Sequence, residues 1–587
     1  MVTENVLTSL IKRQSARYGS RPAVFTRSDN GQWLPVSWNR LADDVSAAAC
    51  ALETLGATEE SKLAVFSPNL AQIIVTDLAA FANRVVPVSI YATSSPEQVE
   101  YIVRDADAEI IFAGSQEQYH ICRRVQKANP RLRQIVVYDR FTRDADDTTS
   151  MSFDDFLALG RAASQACRDE VARRTAAASP DDIATLLYTS GTTGEPKGAI
   201  LPHSCFNAAM EMHHRRLTSI SDADTSMCFL PLSHIFEKAW TFFCLDSGVQ
   251  VYVNRDPREI QHTIREVNPT CMCSVPRFWE KAYAAIQDKM SRMKPLSRWM
   301  CSRALRIGRR RNLDYVRRGI PVPRILEARY RFYDKRVFAK VRRLMGIDRG
   351  NMFPTAGAPL SNNITEFFLS MGVPLVIGYG LSETTATVSC YPYTGYEIGT
   401  TGTVLPGLEV RIGEQNEILV KGPSVMRGYY NKPAETEAVF TSDGWFRTGD
   451  AGFFDPSGAL VLTERLKDLF KTSNGKYIEQ VAVIGDNRKF VTAIIVPAIE
   501  AVKEYARKKK IQYRNLEELV RDSEIRRLIE QRIETLQEGL ASFEKIKKFT
   551  LLPREFSMET GELTNTLKLR RPVIASRYAH EIEAMYA

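Results

Sequence analysis

The segment from Tyr188 to Gly198, YTSGTTGEPKG, constrains the fold more than any other part of the chain. It joins two apolar runs, Ile183–Tyr188 and Ala199–Leu201. Glycines let the backbone approach an anion and turn its N–H groups inward, while hydroxyl groups and a lysine add donors and charge. The pattern therefore predicts a phosphate-binding loop between two strands, with a Ser/Thr/Gly-rich surface hairpin as the alternative.

This loop differs from a Walker A motif. Lys197 follows a proline and precedes Gly198, so the pattern GxxxxGK[ST] does not fit. The mismatch disfavours nucleotide-switch GTPases and motor proteins. The candidate phosphate-binding residues of the loop are Thr189, Ser190, Gly191, Thr192, Thr193, Gly194 and Lys197.

Alternating helix and strand signals fill the first 140 residues. Apolar runs at Lys62–Phe66 and Ile110–Phe112 lie beside helical stretches such as Asn5–Tyr18. This alternation favours an α/β fold with a largely parallel sheet. The 587 residues are 44% hydrophobic and 25% charged, which excludes a collagen, a disulfide miniprotein and a wholly disordered chain. The polar stretch Asp144–Asp182 predicts an exposed connection with one helix.

Two later regions have a different character. A strand–turn–strand pattern at Thr401–Val420 predicts a small antiparallel β subdomain. Near the C-terminus, a hairpin at Val481–Pro497 precedes charged amphipathic helices at Glu500–Lys510 and Ser523–Leu540. These elements predict a separate small α+β domain.

The chain resembles the adenylate-forming enzymes, the superfamily of acyl-CoA synthetases, peptide-synthetase adenylation domains and luciferases. The phosphate loop carries the first resemblance, and six further segments follow in the order of the family. These are Leu230–Phe236, Phe353–Leu360, Gly378–Thr384, Asp443–Asp450, Glu464–Asp468 and Thr564–Leu569. The resemblance covers nearly the whole chain.

The resemblance implies a binding site for the nucleoside of ATP. Tyr379 would stack on adenine, and the backbone of Gly357 and Ala358 would lie along the edge of the base. Asp450 would accept hydrogen bonds from the ribose hydroxyls, and Arg465 would hold the ribose and the α-phosphate side. Gly380 follows Tyr379 in the same binding segment.

It also implies the groups that act near the reacting atoms. Ser382 would lie near the α-phosphate, and Glu383 would bind Mg²⁺ with help from Thr189, since Mg²⁺ prefers oxygen ligands. Lys568 would lie between the carboxylate and the α-phosphate, and His234 would gate the acid pocket. The predicted catalytic residues are therefore Lys568, Glu383 and His234.

A two-step reaction follows from the resemblance. A carboxylate attacks the α-phosphate of ATP to give acyl-AMP and pyrophosphate, and the thiol of CoA then attacks the acyl-AMP. Val275–Lys281, Phe543–Phe549 and the long insertion before Met352 are similar to the long-chain fatty acyl-CoA synthetase branch. Two alternatives remain: an aryl- or medium-chain acid–CoA ligase, and a weakly active protein that binds ATP or acyl groups. Acyl chain length and CoA-binding residues cannot be read from the pattern.

The predicted domains are a large ATP- and acid-binding domain over 1–466 and a small mobile domain over 467–587, with Lys467 as the hinge. The small domain departs from the family pattern, because Ile478 passes directly to Glu479 where the family carries a further helix. We therefore expect this domain to be shortened at that point.

Basic residues are concentrated in one insertion. Between Ser291 and Met345 there are 18 Lys and Arg against 3 Asp and Glu, while the remainder has 60 against 66. A local patch indicates phosphates, an anionic substrate or a membrane surface. The motif set implies the fatty acid, ATP and CoA as partners and no nucleic acid. Because the ATP motifs lie outside this insertion, we expect that the patch is not the ATP site. Two interpretations of 291–345 remain: a peripheral membrane contact through a side of apolar residues such as Tyr330, Val337 and Phe338, or a solvated helix packed on its own domain.

The ten cysteines are scattered and form no CxxC pair. This usage indicates small apolar thiols of a reducing compartment. The N-terminus carries no secretory pattern, and no run approaches 18 uncharged apolar residues. We expect a cytoplasmic protein, either free or peripheral to a membrane, whose oligomeric state the sequence leaves open.

Overall fold

The computed structural model describes residues 5–28, 30–189, 195–465, 478–484, 488, 490–537, 545–563 and 569–586. The chain divides by its contacts into two compact units. The large unit comprises 1–189 and 196–463, and the small unit comprises 190–195 and 464–587.

The strands of the large unit, with β19 reaching its boundary, are β1 (Pro22–Arg27), β2 (Trp33–Ser37), β3 (Lys62–Ser67), β4 (Val86–Tyr91), β5 (Ala108–Ala113), β6 (Gln134–Val137), β7 (Met151–Ser152), β8 (Ile183–Thr189), β9 (Lys197–Pro202), β10 (Thr225–Cys228), β11 (Gln250–Val253), β12 (Phe353–Thr355), β13 (Leu375–Tyr379), β14 (Ser389–Cys390), β15 (Thr403–Val404), β16 (Glu409–Ile412), β17 (Glu417–Lys421), β18 (Phe446–Phe454) and β19 (Leu460–Arg465).

Its α-helices are α1 (Val6–Tyr18), α2 (Trp38–Thr54), α3 (Ala71–Ala82), α4 (Pro96–Asp105), α5 (Gln116–Ala128), α6 (Phe153–Arg161), α7 (Gln165–Ala177), α8 (His203–Arg216), α9 (Ile235–Asp246), α10 (Ile260–Val267), α11 (Pro276–Ser291), α12 (Pro295–Arg311), α13 (Arg324–Tyr333), α14 (Ala339–Met345), α15 (Asn362–Ser370) and α16 (Pro433–Ala438). Single 3₁₀ turns occur at Pro257–Glu259, Ser382–Thr384 and Glu414–Asn416, and π-helical turns at Asn312–Val316 and Asp334–Phe338.

A seven-stranded sheet forms the first layer, in the order β7-β6-β5-β3-β4-β8-β9. Its strands are parallel except β9, which runs antiparallel to β8. In β3, Leu63 and Val65 join one apolar core while Ala64 and Phe66 join another. Both faces of the sheet are therefore buried, as is usual for parallel sheets. The predicted α/β class is confirmed.

Three four-stranded sheets complete the large unit, in the orders β10-β11-β1-β2, β12-β13-β14-β15 and β16-β17-β18-β19. Parallel bridges Ser226↔Cys271, Cys271↔Met352 and Ser274↔Thr355 link β10 to β12 through residues 271–274. Because β12 is parallel to β13, these strands present their carboxyl ends at one common edge.

The small unit contains β20 (Ile478–Ile484), β21 (Val491–Pro497) and β22 (Ile546–Leu551), with β20 antiparallel and β22 parallel to β21. Its helices are α17 (Ile499–Lys509), α18 (Leu516–Arg521), α19 (Ser523–Leu536), α20 (Arg571–Arg577) and α21 (Ala579–Tyr586). Apolar side chains fill a core on each side of this sheet. The hairpin and both charged helices therefore form as predicted.

Two expectations from the sequence need correction. The stretch Asp144–Asp182 contains two helices, α6 and α7, and not one. Gly160 of α6 packs so closely on α2 that an added Cβ would lie 1.8 Å from the carbonyl oxygen of Ala47, which explains an ordered element in so polar a stretch. In the basic insertion, Tyr330, Val337 and Phe338 are buried in a core of the large unit, so they do not form a lipid-facing side. Among the described residues, no helix is both long and apolar enough to cross a bilayer.

Candidate active site

The predicted site segments lie at the common carboxyl edge of parallel strands. The segment that ends at His234 follows β10, the turn of Gly357 and Ala358 follows β12, and the segment from Gly380 follows β13. In open α/β sheets, ligands bind outside the carboxyl ends of the strands. The fold therefore brings together segments that are about 150 residues apart in the sequence.

His234 caps the N-terminus of α9. Its Nδ1 accepts a hydrogen bond from the backbone N–H of Phe236 at 3.2 Å, and its ring lies 6.5 Å from the ring of Tyr91, centroid to centroid. Burial raises the pKa of Tyr91, so this phenol stays neutral. The His234 ring is thus held beside the Tyr91 ring.

Two buried side chains hold the loop before His234. The Asn69 amide donates to the carbonyl of Leu230 at 2.7 Å and accepts from the N–H of Leu232 at 2.8 Å. The Glu237 carboxyl accepts from the N–H of Leu230 at 3.1 Å. Glu237 is fully buried, and burial raises its pKa to about 8. At neutral pH its neutral form therefore predominates.

Tyr379 and Asp450, the residues predicted to bind adenine and ribose, contact each other through their side chains. The Tyr379 hydroxyl donates to Asp450 Oδ2 at 2.8 Å, and the two residues are only 7% and 9% exposed. Asp450 is placed by its own strand, β18, where its N–H donates to Thr448 Oγ1 at 3.1 Å. A carboxylate can accept several hydrogen bonds, so the bond from tyrosine is compatible with further bonds from a ligand.

A strained turn follows Tyr379. An added Cβ on Gly380 would lie 1.5 Å from the carbonyl oxygen of Ala386, so only glycine fits there. Thr385 and Ala386 have φ values of 51° and 80°, which non-glycine residues rarely adopt. Such strain persists where surrounding contacts enforce it, and it occurs often at functional sites.

Buried hydrogen bonds enforce this turn. Thr385 Oγ1 donates to the carbonyl of Ser424 at 2.8 Å. His213 Nδ1 lies 2.7 Å from the carbonyl of Ala209, and its Nε2 lies 3.0 Å from Thr387 Oγ1. Burial lowers the pKa of His213 to about 4, so the ring is neutral. A carbonyl can only accept, which assigns the proton to Nδ1 and makes Nε2 the acceptor from Thr387.

Glu383 lies within this turn and contacts the phosphate-loop side of the site. The Tyr429 hydroxyl donates to Glu383 Oε1 at 2.9 Å, and Lys197 Nζ lies 5.3 Å from the centroid of the Tyr429 ring. Burial, and secondarily Glu383, raise the pKa of Tyr429, so this hydroxyl keeps its proton. In turn, Lys197 pairs with Thr189 across β8 and β9. The structure thus brings Thr189, Lys197 and Glu383 together.

The remaining predicted site residues divide into three groups. Gly357 and Ala358 form an exposed turn in which Gly357 has a φ of 89°, and Ser382 is partly buried beside Glu383. The backbone of Arg465 ends β19, but its side chain is outside the described part. Also outside the described residues are Ser190, Gly191, Thr192, Thr193, Gly194, Lys467 and Lys568.

Sequence reasoning missed several residues that build this site, above all Tyr429. Residues 427–430 pair with β9, where the N–H of Ile200 donates to Gly428 and the N–H of Tyr430 donates to Gly198. That pairing spans more than 200 residues and has no local signal. Asn69 and His213 were missed because each acts on a segment more than 150 residues away, and Glu237 was missed because its bond to the backbone of Leu230 leaves no pattern in the sequence.

Comparison with known proteins identifies the family. Residues 11–430 match the AMP-binding enzyme family, and residues 461–587 match the C-terminal domain of AMP-binding enzymes. The chain belongs to the AMP-binding enzyme family. The predicted resemblance to the adenylate-forming enzymes is therefore confirmed.

Curated relatives within this family have similar lengths. The long-chain-fatty-acid–CoA ligase FadD15 of Mycobacterium bovis is 31% identical and covers 96% of this chain and 94% of its own length. A long-chain-fatty-acid–CoA ligase of Xenopus laevis is 28% identical over 97% of this chain and 82% of its own length. The long-chain acyl-CoA synthetase branch is thus the branch that this AMP-binding enzyme matches, as predicted.

Solved structures share the fold at lower identity. The adenylation domain of a carboxylate reductase from Mycobacterium chelonae superimposes with a TM-score of 0.76 at 22% identity, over 99% of this chain and 91% of that domain. An anthranilate CoA ligase in complex with anthranoyl-AMP superimposes with a TM-score of 0.71 at 16% identity. These values confirm the predicted fold.

The donor set of this AMP-binding enzyme fits a magnesium ion that is shared with a substrate. Within the described ranges, no three His, Cys, Asp or Glu side chains are grouped as metal ligands. Glu383 and Thr189 offer hard oxygen atoms near Lys197, since Glu383 is bonded to Tyr429, over whose ring Lys197 lies, and Thr189 is opposite Lys197 in the sheet. Mg²⁺ is commonly held by one or two carboxylates together with substrate phosphates, so a sparse oxygen set is suitable.

The raised pKa of Glu237 can be tested through the pH dependence of the free energy of unfolding. A group whose folded pKa is raised contributes stability that is complete below its unfolded pKa of 4.5 and is lost as pH rises through about 8. Between pH 6.5 and 8, we expect the wild type to lose about 2 kcal/mol of unfolding free energy relative to Glu237→Gln. Urea unfolding of both proteins at several pH values measures this difference.

A matched control is Glu437→Gln, since Glu437 is exposed on the same unit. This variant should follow the wild-type pH profile. Parallel profiles for the wild type and Glu237→Gln would contradict a neutral buried carboxyl group.

Proposed function

We propose that this protein converts a long-chain fatty acid, ATP and CoA into acyl-CoA, AMP and pyrophosphate, with the predicted residues in the roles given below. One arrangement carries the proposal: the Tyr379–Glu383 segment contacts Asp450 at one end and Tyr429 at the other. In this proposal, the group that binds adenosine and the group that acts on the phosphates therefore lie in the same short segment. The names of the curated relatives support the substrate class.

The nucleoside lies on the Tyr379 side. Its adenine stacks on the Tyr379 ring, with the backbone of Gly357 and Ala358 along its edge, and Gly380 allows the close turn behind it. Asp450 accepts from the ribose hydroxyls, and Arg465 is the second residue proposed to bind the ribose. The tyrosine hydroxyl fixes the orientation of the Asp450 carboxylate before ATP arrives.

The phosphates lie on the Glu383 side. Thr189 to Gly194 and Lys197 supply hydroxyl groups, backbone N–H groups and a positive charge, and Ser382 lies near the α-phosphate. Glu383, with Thr189, is the proposed ligand of Mg²⁺, which would neutralise phosphate charge when bound. The Tyr429 hydroxyl holds one carboxylate oxygen of Glu383 and so orients the group.

The first step is a displacement at phosphorus. A carboxylate oxygen of the fatty acid bonds to the α-phosphorus, and the bond to the bridging oxygen of pyrophosphate breaks. Lys568 balances the negative charge that is shared by the carboxylate and the α-phosphate. His234, held by Asn69 and Glu237 through the preceding loop, gates the pocket at the reacting end of the acid.

The second step is acyl transfer to sulfur. The CoA sulfur bonds to the acyl carbon, AMP leaves with the electron pair of the broken bond, and the thiol proton is released. We assign the rearrangement between the steps to the small domain over 467–587, with Lys467 as the hinge and 1–466 as the large domain. The shortening between Ile478 and Glu479 remains a prediction. If it is present, we expect it to slow the step in which the small domain brings Lys568 to the site, and to leave nucleotide binding intact.

The proposal includes the place of action. All ten cysteines are free thiols, which supports a reducing compartment such as the cytoplasm. A long-chain acid partitions into lipid, so we also propose peripheral membrane contact through the insertion 291–345.

A substrate panel of long-chain, medium-chain and aryl acids in a pyrophosphate-release assay separates the long-chain ligase activity from the other ligase alternatives.

Removing the Tyr379 hydroxyl tests the nucleoside site. Tyr379→Phe keeps the stacking ring but loses the bond that orients Asp450, so KM for ATP should rise about 10-fold with little change in kcat. Initial rates over a range of ATP concentrations give both constants. Tyr393→Phe, at a residue that is 68% exposed, is the matched control. An unchanged KM for ATP in Tyr379→Phe would place the nucleoside elsewhere.

Neutralising Glu383 tests the metal assignment. Glu383→Gln keeps an acceptor for Tyr429 but removes the charge, so the Mg²⁺ concentration for half-maximal rate should rise and kcat should fall about 100-fold. Magnesium titration of pyrophosphate release measures both effects, and Glu437→Gln serves again as control. A magnesium requirement equal to that of the wild type would exclude Glu383 as the ligand.

Separating the half-reactions tests Lys568 and the weakly active alternative together. Lys568→Ala should lower acyl-AMP formation about 100-fold but keep thioester formation from supplied acyl-AMP, because the lysine acts on the first displacement. Lys509→Ala, at an exposed residue of the same unit, is the control. If the wild type binds ATP but performs neither half-reaction, the binding-protein alternative is correct.

A further inference from the structure

An exposed stripe on α12 mixes apolar and cationic side chains. Leu296 is 78% exposed and Trp299 is 54% exposed, although both are large apolar residues. Arg303, Arg306 and Arg310 continue the same side of the helix at spacings of three and four residues, and all are exposed. The Arg303 guanidinium lies 5.6 Å from the Trp299 ring centroid. We call this set the α12 stripe.

A second stripe of the same composition lies on α13 and the π-helical turn after it. Ile325 is 71% exposed and Phe332 is 48% exposed, and Arg329 lies between them on the same side. The Arg336 guanidinium lies 4.5 Å from the Phe332 ring centroid. This α13 stripe is opposite in character to the buried Tyr330, Val337 and Phe338 of the same segment. One side of α13 and the turn after it therefore packs into the core of the large unit, and the opposite side is exposed.

Most cations of the insertion have no carboxylate partner in the described part of the chain. Seven of the 18 form ion pairs, for example Arg311 with Glu327. The other eleven are exposed and form none: Lys294, Arg298, Arg303, Arg306, Arg310, Arg318, Arg324, Arg329, Lys335, Arg336 and Lys340. Excess positive charge beside exposed Leu, Trp, Ile and Phe side chains is complementary to a surface that is anionic outside and apolar beneath.

We propose that the α12 and α13 stripes dock on the surface of an anionic lipid bilayer. Lysine and arginine near such a surface gain attraction to the headgroups, while tryptophan, phenylalanine, leucine and isoleucine enter the boundary with the acyl chains. Long cationic side chains keep their charge at headgroup level while their stems cover apolar surface. The inference rests on the proposed function, because a substrate that partitions into lipid gives this contact its use.

The core beneath the stripes connects this surface to the site. Trp279 of α11 is fully buried with the insertion, and its Nε1 donates to Ser274 Oγ at 2.8 Å and to Thr355 Oγ1 at 2.9 Å. Thr355 ends β12, two residues before Gly357. A surface that docks on lipid is therefore built on the same core as the adenine-side turn.

Flotation of the full-length protein with vesicles tests the proposal. The vesicles are phosphatidylcholine alone, or phosphatidylcholine with phosphatidylglycerol. We expect binding to the anionic vesicles at about 0.1 M salt and loss at about 1 M, where the Debye length falls from about 10 Å to about 3 Å. The triple variant Arg303→Gln/Arg306→Gln/Arg310→Gln should bind about 10- to 100-fold more weakly. Its control removes the same charge from exposed residues elsewhere: Arg104→Gln/Arg140→Gln/Arg143→Gln.

A second variant, Leu296→Gln/Trp299→Gln, tests the apolar part without changing charge. We expect weaker binding that persists at low salt, since insertion and attraction are separate contributions. Ligase activity on a water-soluble medium-chain acid is measured for every protein and should stay unchanged. Flotation needs no ATP or CoA, so failed docking with full activity overturns the membrane contact and leaves the proposed ligase reaction standing. Docking without ligase activity on a long-chain acid overturns the ligase reaction and leaves the docking surface standing.

Three results would overturn the docking surface. One is equal binding to neutral and anionic vesicles. Another is an equal loss of binding in the stripe and control triple variants. The third is a change of oligomeric state in either stripe variant by analytical ultracentrifugation, which would assign the surface to a second copy of the chain.

Discussion

Three buried side chains, Ser274, Thr355 and Trp279, join the parts of the large unit on which its site depends. The Ser274 hydroxyl lies 2.8 Å from that of Thr355 and donates to the carbonyl of Pro354 at 3.0 Å, and the Trp279 indole donates to both hydroxyls. Polar groups at this depth are costly unless they are paired, so the set specifies one register between residues 271–274 and β12. That register aligns the carboxyl ends of β10, β12 and β13, and hence the segments that carry His234, Gly357 and Glu383.

The turn from Gly380 to Thr387 then fixes the position of Glu383 at this common edge of the strands. Two non-glycine residues with positive φ cost free energy on the order of 1–3 kcal/mol each, which the folded surroundings must offset. The neutral His213 and the carbonyl of Ser424 supply part of that constraint through buried hydrogen bonds. Because Glu383 lies inside this turn, these contacts position its backbone, and the Tyr429 hydroxyl orients its carboxylate. Such preorganisation is the usual source of electrostatic stabilisation in catalysis.

The order of the motifs and most strands follows from local sequence, because glycine-rich turns and apolar runs are local signals. The phosphate-loop strands and the hairpin of β20 and β21 were predictable in this way, whereas the proposed roles of Tyr379 and Asp450 came only from the resemblance to the family. Tyr429 was not, since it reaches Glu383 only through the pairing of residues 427–430 with β9. Helical spacing likewise identified the apolar side of residues 330–345 but could not decide whether a membrane or the protein's own domain covers it. Burial of Tyr330 and Phe338 depends on α12 and α15, which no periodicity within that segment encodes.

Charge is treated in opposite ways in the site and in the basic insertion. In the site, each carboxylate has a neutral partner of fixed geometry, as Asp450 has Tyr379 and Glu383 has Tyr429. Each of these hydrogen bonds orients one carboxylate oxygen as an acceptor. In the insertion, by contrast, eleven cations have no carboxylate partner among the residues that the structure describes, and their like charges repel one another. Such repulsion opposes folding. The buried core around Trp279 offsets it, so the helices can present a positive surface although only seven of the 18 cations form ion pairs in the described part of the chain.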